Sequence, residues 1–208
     1  MRTFSVVAVA AALLTASCSD PEKARIKETT KPTYDKTTGK LTQLTYDANK
    51  NGKIDTWTDM DGTKPLRSRI DQDEDGKIDR WEYYDDKGGL AKVGFSRKQD
   101  GKPDAWVFSA PDGKVSRVEM SSTADEKKID RVEFYEAGAL ARVEEDTNSD
   151  GRIDKWETYA NGAVKTAAMD ENGDGRPDRR LTYVNGNLAL LESEPDAAGQ
   201  FQKKITVK

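Results

Sequence analysis

The sequence predicts an all-β fold made of tandem β-hairpin repeats of about 24 residues each. Two series of turn glycines alternate along the chain, and short segments rich in aromatic and β-branched residues lie between them. Apolar residues do not recur at helical spacing, which favours strands over helices. We expect the hairpins to form an antiparallel meander, as an open twisted sheet or superhelix. The alternative is a closed barrel in which the first strand pairs with the last and removes both free edges.

The turn residues define the repeat. The first series comprises Gly52, Gly76, Gly101, Lys127, Gly151, Gly175 and Gly199. The second series lies between them and comprises Gly39, Gly62, Gly88, Gly113, Gly138, Gly162 and Gly186. Asn-Gly and Asp-Gly pairs occur in both series, and such pairs favour the tight turns that join antiparallel strands. Each unit is therefore predicted to hold two turns and two strands.

The first strand of each unit keeps an aromatic register. Tryptophans share one repeat position, at Trp57, Trp81, Trp106 and Trp156. Tyrosines lie three residues after that position, at Tyr84, Tyr135, Tyr159 and Tyr183. Because side chains alternate across a strand, the two rows are predicted to lie on opposite faces of the sheet. The second strands are less regular, since Leu140 and Val143 can share a face only if a bulge interrupts the strand.

Composition limits both the core and the chemistry. Hydrophobic residues make up 35% of the chain and charged residues another 35%, so a thick core would be difficult to fill. The net charge of -4 arises from interspersed acidic and basic residues, which argues against a nucleic-acid partner. The chain contains no histidine, which removes the usual general base and the usual zinc ligand.

The N-terminal residues predict export. Arg2 precedes an apolar run, so residues 1–17 are predicted to be a signal peptide. The single cysteine, Cys18, follows Leu14–Ser17. This arrangement resembles a bacterial lipobox, although leucine stands four residues before the cysteine rather than three. The resemblance implies lipidation of Cys18 and anchoring in the bacterial cell envelope, with Ser19 favouring the outer membrane. The alternatives are ordinary secretion and a core thiol.

The rest of the chain is predicted to have two parts. Residues 18–32 would carry the lipidated cysteine and a flexible polar tether. Residues 33–208 would form the repeat domain, with six whole units between two half-units. We number its acidic turn segments in chain order: loop 1 is residues 47–58, loop 2 is 71–82, loop 3 is 96–107, loop 4 is 122–133, loop 5 is 146–157 and loop 6 is 170–181.

Loops 2 and 5 carry the spacing by which one short loop wraps a hard cation. Oxygen side chains at positions 1, 3, 5, 9 and 12 would bind the ion together with the carbonyl at position 7. In loop 2 these residues are Asp71, Asp73, Asp75, Lys77, Asp79 and Glu82. In loop 5 they are Asp146, Asn148, Asp150, Arg152, Asp154 and Glu157. Both segments resemble an EF-hand calcium loop, here set between strands because the flanking segments are too short for helices.

The other loops match less well. Loops 1 and 6 lack an acid at position 12, and their ligands would be Asp47, Asn49, Asn51, Asp55, Asp170, Asn172, Asp174 and Asp178. Loops 3 and 4 have lost further ligands, and in loop 4 Lys127 is aligned with the turn glycine. In these two loops we expect the ammonium group of Lys98 or Lys127 to replace the charge of the metal. The alternative for every loop is that Asp, Asn and Gly only shape a turn.

The chain resembles bacterial lipoproteins built from tandem calcium-loop repeats, and its loops resemble those of EF-hands, dockerins and thrombospondin type 3 repeats. The resemblance implies calcium as the bound ion. Our first hypothesis is a non-catalytic, lipid-anchored envelope protein with a structural or adhesive role, because every pair of carboxylates occupies a repeated position rather than a distinct site. The alternative is a module that binds a glycan or an envelope protein through the tryptophan row at Trp57, Trp81, Trp106 and Trp156, with the loops serving only as turns.

Overall fold

A computed structural model describes residues 29–207, which form one antiparallel sheet of 15 strands in chain order. The predicted all-β meander is confirmed. The strands are β1 Thr30–Tyr34, β2 Leu41–Tyr46, β3 Thr56–Asp61, β4 Lys64–Ile70, β5 Arg80–Tyr84, β6 Leu90–Phe95, β7 Ala105–Ser109, β8 Val115–Met120, β9 Arg131–Glu136, β10 Ala139–Glu145, β11 Lys155–Ala160, β12 Ala163–Met169, β13 Arg179–Val184, β14 Asn187–Pro195 and β15 Phe201–Thr206.

The sheet is open rather than closed. Within residues 29–207, β1 pairs with β2 alone and β15 pairs with β14 alone. The main contacts between elements run only between neighbouring strands, so the described sheet is a single layer and the expected thin core follows. No helix in this part of the chain has the length and apolar character needed to cross a membrane.

The start of the sheet differs slightly from the predicted domain boundary. Strand β1 begins at Thr30 and pairs with β2, so the last residues of the predicted tether belong to the sheet. The predicted signal peptide, the lipidation site Cys18 and residues 19–28 of the tether lie outside the described residues.

The tight hairpins opposite the acidic loops each contain a register shift at the same place. In the β9–β10 hairpin the shift falls between Leu140 and Arg142, so that Leu140 lies opposite Tyr135 and Val143 lies opposite Glu133. Tyr135 and Glu133 share a face, and therefore so do Leu140 and Val143. The bulge that their spacing requires for a shared face is therefore present. Corresponding shifts occur in the other tight hairpins, and each bulge increases the local twist of the sheet.

The two aromatic rows lie on opposite faces, as predicted. The hydroxyl of Tyr84 donates to Glu82, two residues away on the same face, whereas Trp81 alternates to the other face. Trp81 and Trp106 both lie opposite Gly94. A Cβ atom at Gly94 would approach the Trp106 ring to 3.5 Å, so the absence of a side chain there lets the indoles fill the space. Trp106 is only 1% exposed and Trp81 8%.

Candidate metal-binding loops

All six acidic loops lie along one edge of the sheet, because successive strands of a meander alternate in direction. The loops are stacked by backbone hydrogen bonds. The amide of Asp71, at position 1 of loop 2, donates to the carbonyl of Asp55, at position 9 of loop 1, over 2.8 Å. The same bond joins Asp170 to Asp154 over 2.8 Å. Each loop is therefore held in register with its neighbours before any ion binds.

Side-chain oxygens organise the turn inside each loop. In loop 2, Asp71 accepts from the amide of Gly76 over 3.0 Å, Asp73 from that of Asp75 over 3.2 Å, and Asp75 from that of Lys77 over 2.8 Å. The chain also needs left-handed backbone at position 4, where Glu74 has φ 60°, and at position 6, where Gly76 has φ 89°. Glycine adopts that conformation without steric cost. These bonds agree with the turn-forming alternative and shape the loop without an ion.

Loop 2 nevertheless gathers more charge than a turn requires. Asp71, Asp73 and Asp79 each place a carboxylate oxygen within 4.8 Å of the other two. Asp71 is only 5% exposed, and its Oδ1 atom is buried without a hydrogen-bond partner. Across the described residues, no other group of three acidic, histidine or cysteine side chains reaches this spacing. Such an arrangement is unfavourable for anions unless a cation neutralises them.

The other loops share the local geometry without that convergence. In loop 5, Asp146 accepts from the amide of Gly151 over 2.8 Å, Asp150 from that of Arg152 over 2.9 Å, and Asp154 from that of Thr147 over 3.1 Å. Loops 1 and 6 repeat these bonds, with amides donating to Asp47, Asn49, Asn51, Asp55, Asp170, Asn172, Asp174 and Asp178.

The glutamates at position 12 lie apart from the loops. Glu82 accepts from the hydroxyl of Tyr84 over 2.6 Å and pairs with Arg80 over 2.7 Å. Glu157 is held in the same way by Tyr159 over 2.8 Å and Lys155 over 3.1 Å. Position 12 falls within a strand that is paired on both sides, so the pleat directs these side chains to the sheet face. The structure therefore does not bring Glu82 or Glu157 to the loop ligands.

The Glu157 network shifts the pKa values of its members. Burial raises the pKa of Glu157, but hydrogen bonds from Tyr159 and Lys155 outweigh it, so the net pKa lies below the ordinary value. Burial and the bond to Glu157 together raise the pKa of Tyr159. Strand β9 carries the same network a third time: Glu133 accepts from the hydroxyl of Tyr135 over 2.8 Å and pairs with Arg131 over 3.0 Å. We infer that position 12 stabilises the sheet through these networks.

The double variant Glu82→Gln with Glu157→Gln tests this assignment. We expect the calcium affinity of loop 2 to change by less than about twofold, while the free energy of unfolding in chelator falls by about 1–3 kcal/mol, because two charge-assisted networks are weakened. Calorimetric titration and denaturant unfolding in chelator measure the two quantities. A loss of calcium binding with unchanged stability would show instead that the glutamates are ligands.

The side chains at position 7 have a role that sequence reasoning missed. We expected Lys77 and Arg152 to contribute only carbonyl groups. Lys77 Nζ donates to the carbonyl of Gln99 over 3.1 Å, and Arg152 to that of Gly173 over 3.3 Å. Both acceptors occupy position 4 of the following loop. Basic residues at position 7 thus link neighbouring loops. The recurrence of a basic residue at this position in the sequence could have indicated that role.

The hydrogen bonds of loop 4 show that its predicted alignment with the other loops was wrong. Ser121 accepts from the amide of Asp125 over 3.1 Å, as Ser96 does from Asp100 in loop 3 over 3.2 Å. Ser121 therefore occupies position 1, and the loop holds one extra residue before Asp130. Lys127 was wrongly aligned with the turn glycine, because the spacing of glycines cannot place an insertion in a loop that has none.

In loop 3 a basic side chain does neutralise a ligand-position carboxylate, but that side chain is Arg97 rather than the predicted Lys98. Asp104 is fully buried and accepts from the Arg97 backbone amide over 2.9 Å and from its guanidinium Nε over 3.2 Å. Lys98, expected to replace the metal charge, instead donates to the carbonyl of Ser122. The sequence showed a basic residue here and could not show which side chain turns inward.

The side chains of the tryptophan row are packed against the sheet rather than fully exposed to solvent. Trp81 and Trp106 are buried, and Trp57 and Trp156 are half-buried. Cations cover the neighbouring rings on the same face: Lys92 lies 4.6 Å from the Tyr83 ring centre, and Arg117 lies 4.3 Å from that of Phe108. Such contacts stabilise a thin sheet and leave few bare rings on which a sugar could stack.

No family model and no curated protein matches this chain. Accessory secretory proteins 1, 2 and 3 of Streptococcus pneumoniae are similar over 52% of this chain and 19% of that chain, with 16% identity and a TM-score of 0.39. A TarM variant from S. aureus in complex with fondaparinux, alpha-GlcNAc-glycerol and UDP is similar over 51% of this chain and 23% of that chain, with 14% identity and a TM-score of 0.36. This chain thus spans about a fifth of those chains, and likenesses at these TM-scores carry no argument.

Proposed function

We propose that this protein is a non-catalytic, calcium-stabilised repeat protein whose loops bind the ion along one edge of its sheet. The observation that carries the proposal is loop 2. There three carboxylate oxygens, from Asp71, Asp73 and Asp79, lie within 4.8 Å of one another, and the buried Oδ1 of Asp71 has no hydrogen-bond partner. A divalent cation would satisfy that oxygen and remove the repulsion among the carboxylates.

Calcium fits this oxygen set better than magnesium. The loop offers carboxylates and carbonyls from one wrapped segment, and calcium accepts six to eight such ligands in flexible geometry. Magnesium demands a near-ideal octahedron and retains several waters. We expect a dissociation constant of about 10⁻⁴–10⁻³ M, as in extracellular calcium modules.

Calcium would act on the stability of the sheet. An ion that binds only the folded loop adds about 1.4 kcal/mol when its concentration is ten times the dissociation constant. A single-layer sheet with a thin core has little other burial to draw on. The proposal therefore assigns the loops a structural role outside the cytoplasm. Export, the lipid anchor at Cys18 and a structural or adhesive role at the bacterial outer membrane are part of the same proposal.

Calcium titration of the full chain in a mild detergent, by calorimetry and by thermal melts in calcium and in chelator, tests the proposal. We expect saturable binding and a melting temperature that rises with calcium. Asp71→Asn should weaken the loop 2 site at least about tenfold, because it removes a ligand charge while keeping the shape of the side chain.

Asp112→Asn is the matched control. Asp112 accepts from the amide of Lys114 over 3.1 Å in a tight turn on the opposite edge, so it shares the turn chemistry but not the loop. Its replacement should leave the titration unchanged. A flat titration together with an unchanged melt would contradict the proposal and leave the acidic loops as turns.

A further inference from the structure

Glu74 reaches from loop 2 into loop 1. It occupies position 4 of loop 2, between the predicted ligands Asp73 and Asp75, and its backbone is left-handed. Its carboxylate accepts from Asn51 Nδ2 over 2.7 and 2.6 Å and from Asn49 Nδ2, and Lys53 Nζ lies 3.5 Å away. The side chain is 13% exposed. A charged group of one loop is thus held between the two loops by the other.

The groups that Glu74 holds are the predicted ion ligands of loop 1. Asn49 and Asn51 occupy positions 3 and 5, and their Oδ1 atoms accept from the amides of Asn51 and Lys53 over 3.0 and 2.8 Å. A carboxylate presents oxygen whichever way it turns, but an asparagine amide presents oxygen on one side only. By binding the amino side of both amides, Glu74 keeps both oxygens directed into loop 1.

This bridge occurs only once among the described loops. Position 4 is Lys50, Gln99, Ala124, Ser149 and Gly173 in loops 1, 3, 4, 5 and 6, and none of these side chains is a carboxylate. Loop 1 is also the loop in which both positions 3 and 5 are asparagine, and its position 12 is Thr58. Loop 1 therefore has the fewest negatively charged ligands of the predicted calcium loops. The bridge places the negative charge of Glu74 beside it.

We propose that Glu74 is a positioning residue that couples the calcium sites of loops 1 and 2. The inference rests on the proposed calcium function. Glu74 orients Asn49 and Asn51 and adds its charge to loop 1. An ion bound by Asp73 fixes the backbone that carries Glu74. Occupation of loop 2 therefore raises the calcium affinity of loop 1, and by linkage occupation of loop 1 raises that of loop 2 by the same factor.

Four proteins separate coupling from a local effect: the parent chain, Glu74→Ala, Asp71→Asn and the double variant. Each full chain, in mild detergent, is titrated with calcium alone by calorimetry. We expect Glu74→Ala to weaken the loop 1 site about tenfold, the usual effect of losing a group that orients a metal ligand. Glu74→Gln should fall between the parent and Glu74→Ala, because it keeps an acceptor oxygen but loses the charge.

The background variant decides whether Glu74 links the two loops. Asp71→Asn, which disables loop 2, should weaken the loop 1 site in the parent but change it by less than about twofold in the Glu74→Ala background. Ser149→Ala, at position 4 of loop 5, is the matched control and should have no effect. A loop 1 affinity that Asp71→Asn leaves unchanged in the parent, an equal loss in both backgrounds, or no loss on replacing Glu74 would overturn the coupling while the calcium function stands. A parent chain that binds no calcium would overturn both.

Discussion

Replacing Trp106 by alanine is expected to lower the free energy of unfolding by about 3–5 kcal/mol, which is the usual cost of removing a fully buried large aromatic side chain. Trp106 is 1% exposed and packs over Gly94 on the neighbouring strand. In a single-layer sheet no second layer can move in to fill the space. Denaturant unfolding, followed by the change in midpoint and slope, measures the effect.

Two further variants identify the cause. The Nε1 atom of Trp106 is buried without a partner, so Trp106→Phe removes an unsatisfied donor as well as some volume and should cost less than half as much as alanine. Trp57→Ala, at the same repeat position but half-buried, should also cost less. Equal losses in all three would contradict the view that burial of Trp106 anchors the middle of the sheet.

The stability of the C-terminal strands is expected to fall steeply in acid because of Glu192. This residue is 3% exposed and pairs with Arg180 over 2.6 Å and with Lys204 over 3.0 Å. Hydrogen bonds from these two cations hold its pKa at about 2, below the ordinary value of 4.5, although burial raises it. The stabilising contribution is therefore complete above pH 4.5 and disappears as the pH falls from 4.5 through 2.

Glu192→Gln is expected to lower the free energy of unfolding at pH 7 by about 2 kcal/mol, less than the full pKa shift implies, because both cations remain half-exposed to solvent. The difference from the parent should vanish near pH 2. Glu194→Gln is the control, since Glu194 forms an exposed pair with Lys203 over 3.1 Å and should contribute little. Unfolding curves at several pH values test both, and a Glu192→Gln effect independent of pH would contradict the assignment.

The sequence by itself determined the repeat and the strands. The alternation of side chains placed Trp81 and Tyr84 on opposite faces. The spacing of Leu140 and Val143 showed that they could share a face only with a bulge, and the structure contains it. The acidic loops were also visible, because left-handed backbone favours Gly76 and the turn favours Asp and Asn around it. All of these features depend on residues close together in the chain, so a local pattern is enough to predict them.

Tertiary structure alone decided the features that depend on neighbouring strands. Whether the first strand meets the last depends on the path of all 15 strands, which no single repeat specifies. Glu82 leaves its loop because pairing on both sides of β5 directs it to Tyr84 and Arg80. Glu74 serves loop 1 because stacking brings it to Asn51, 23 residues away. Each of these contacts arises between repeats, and the pattern within one repeat does not contain it.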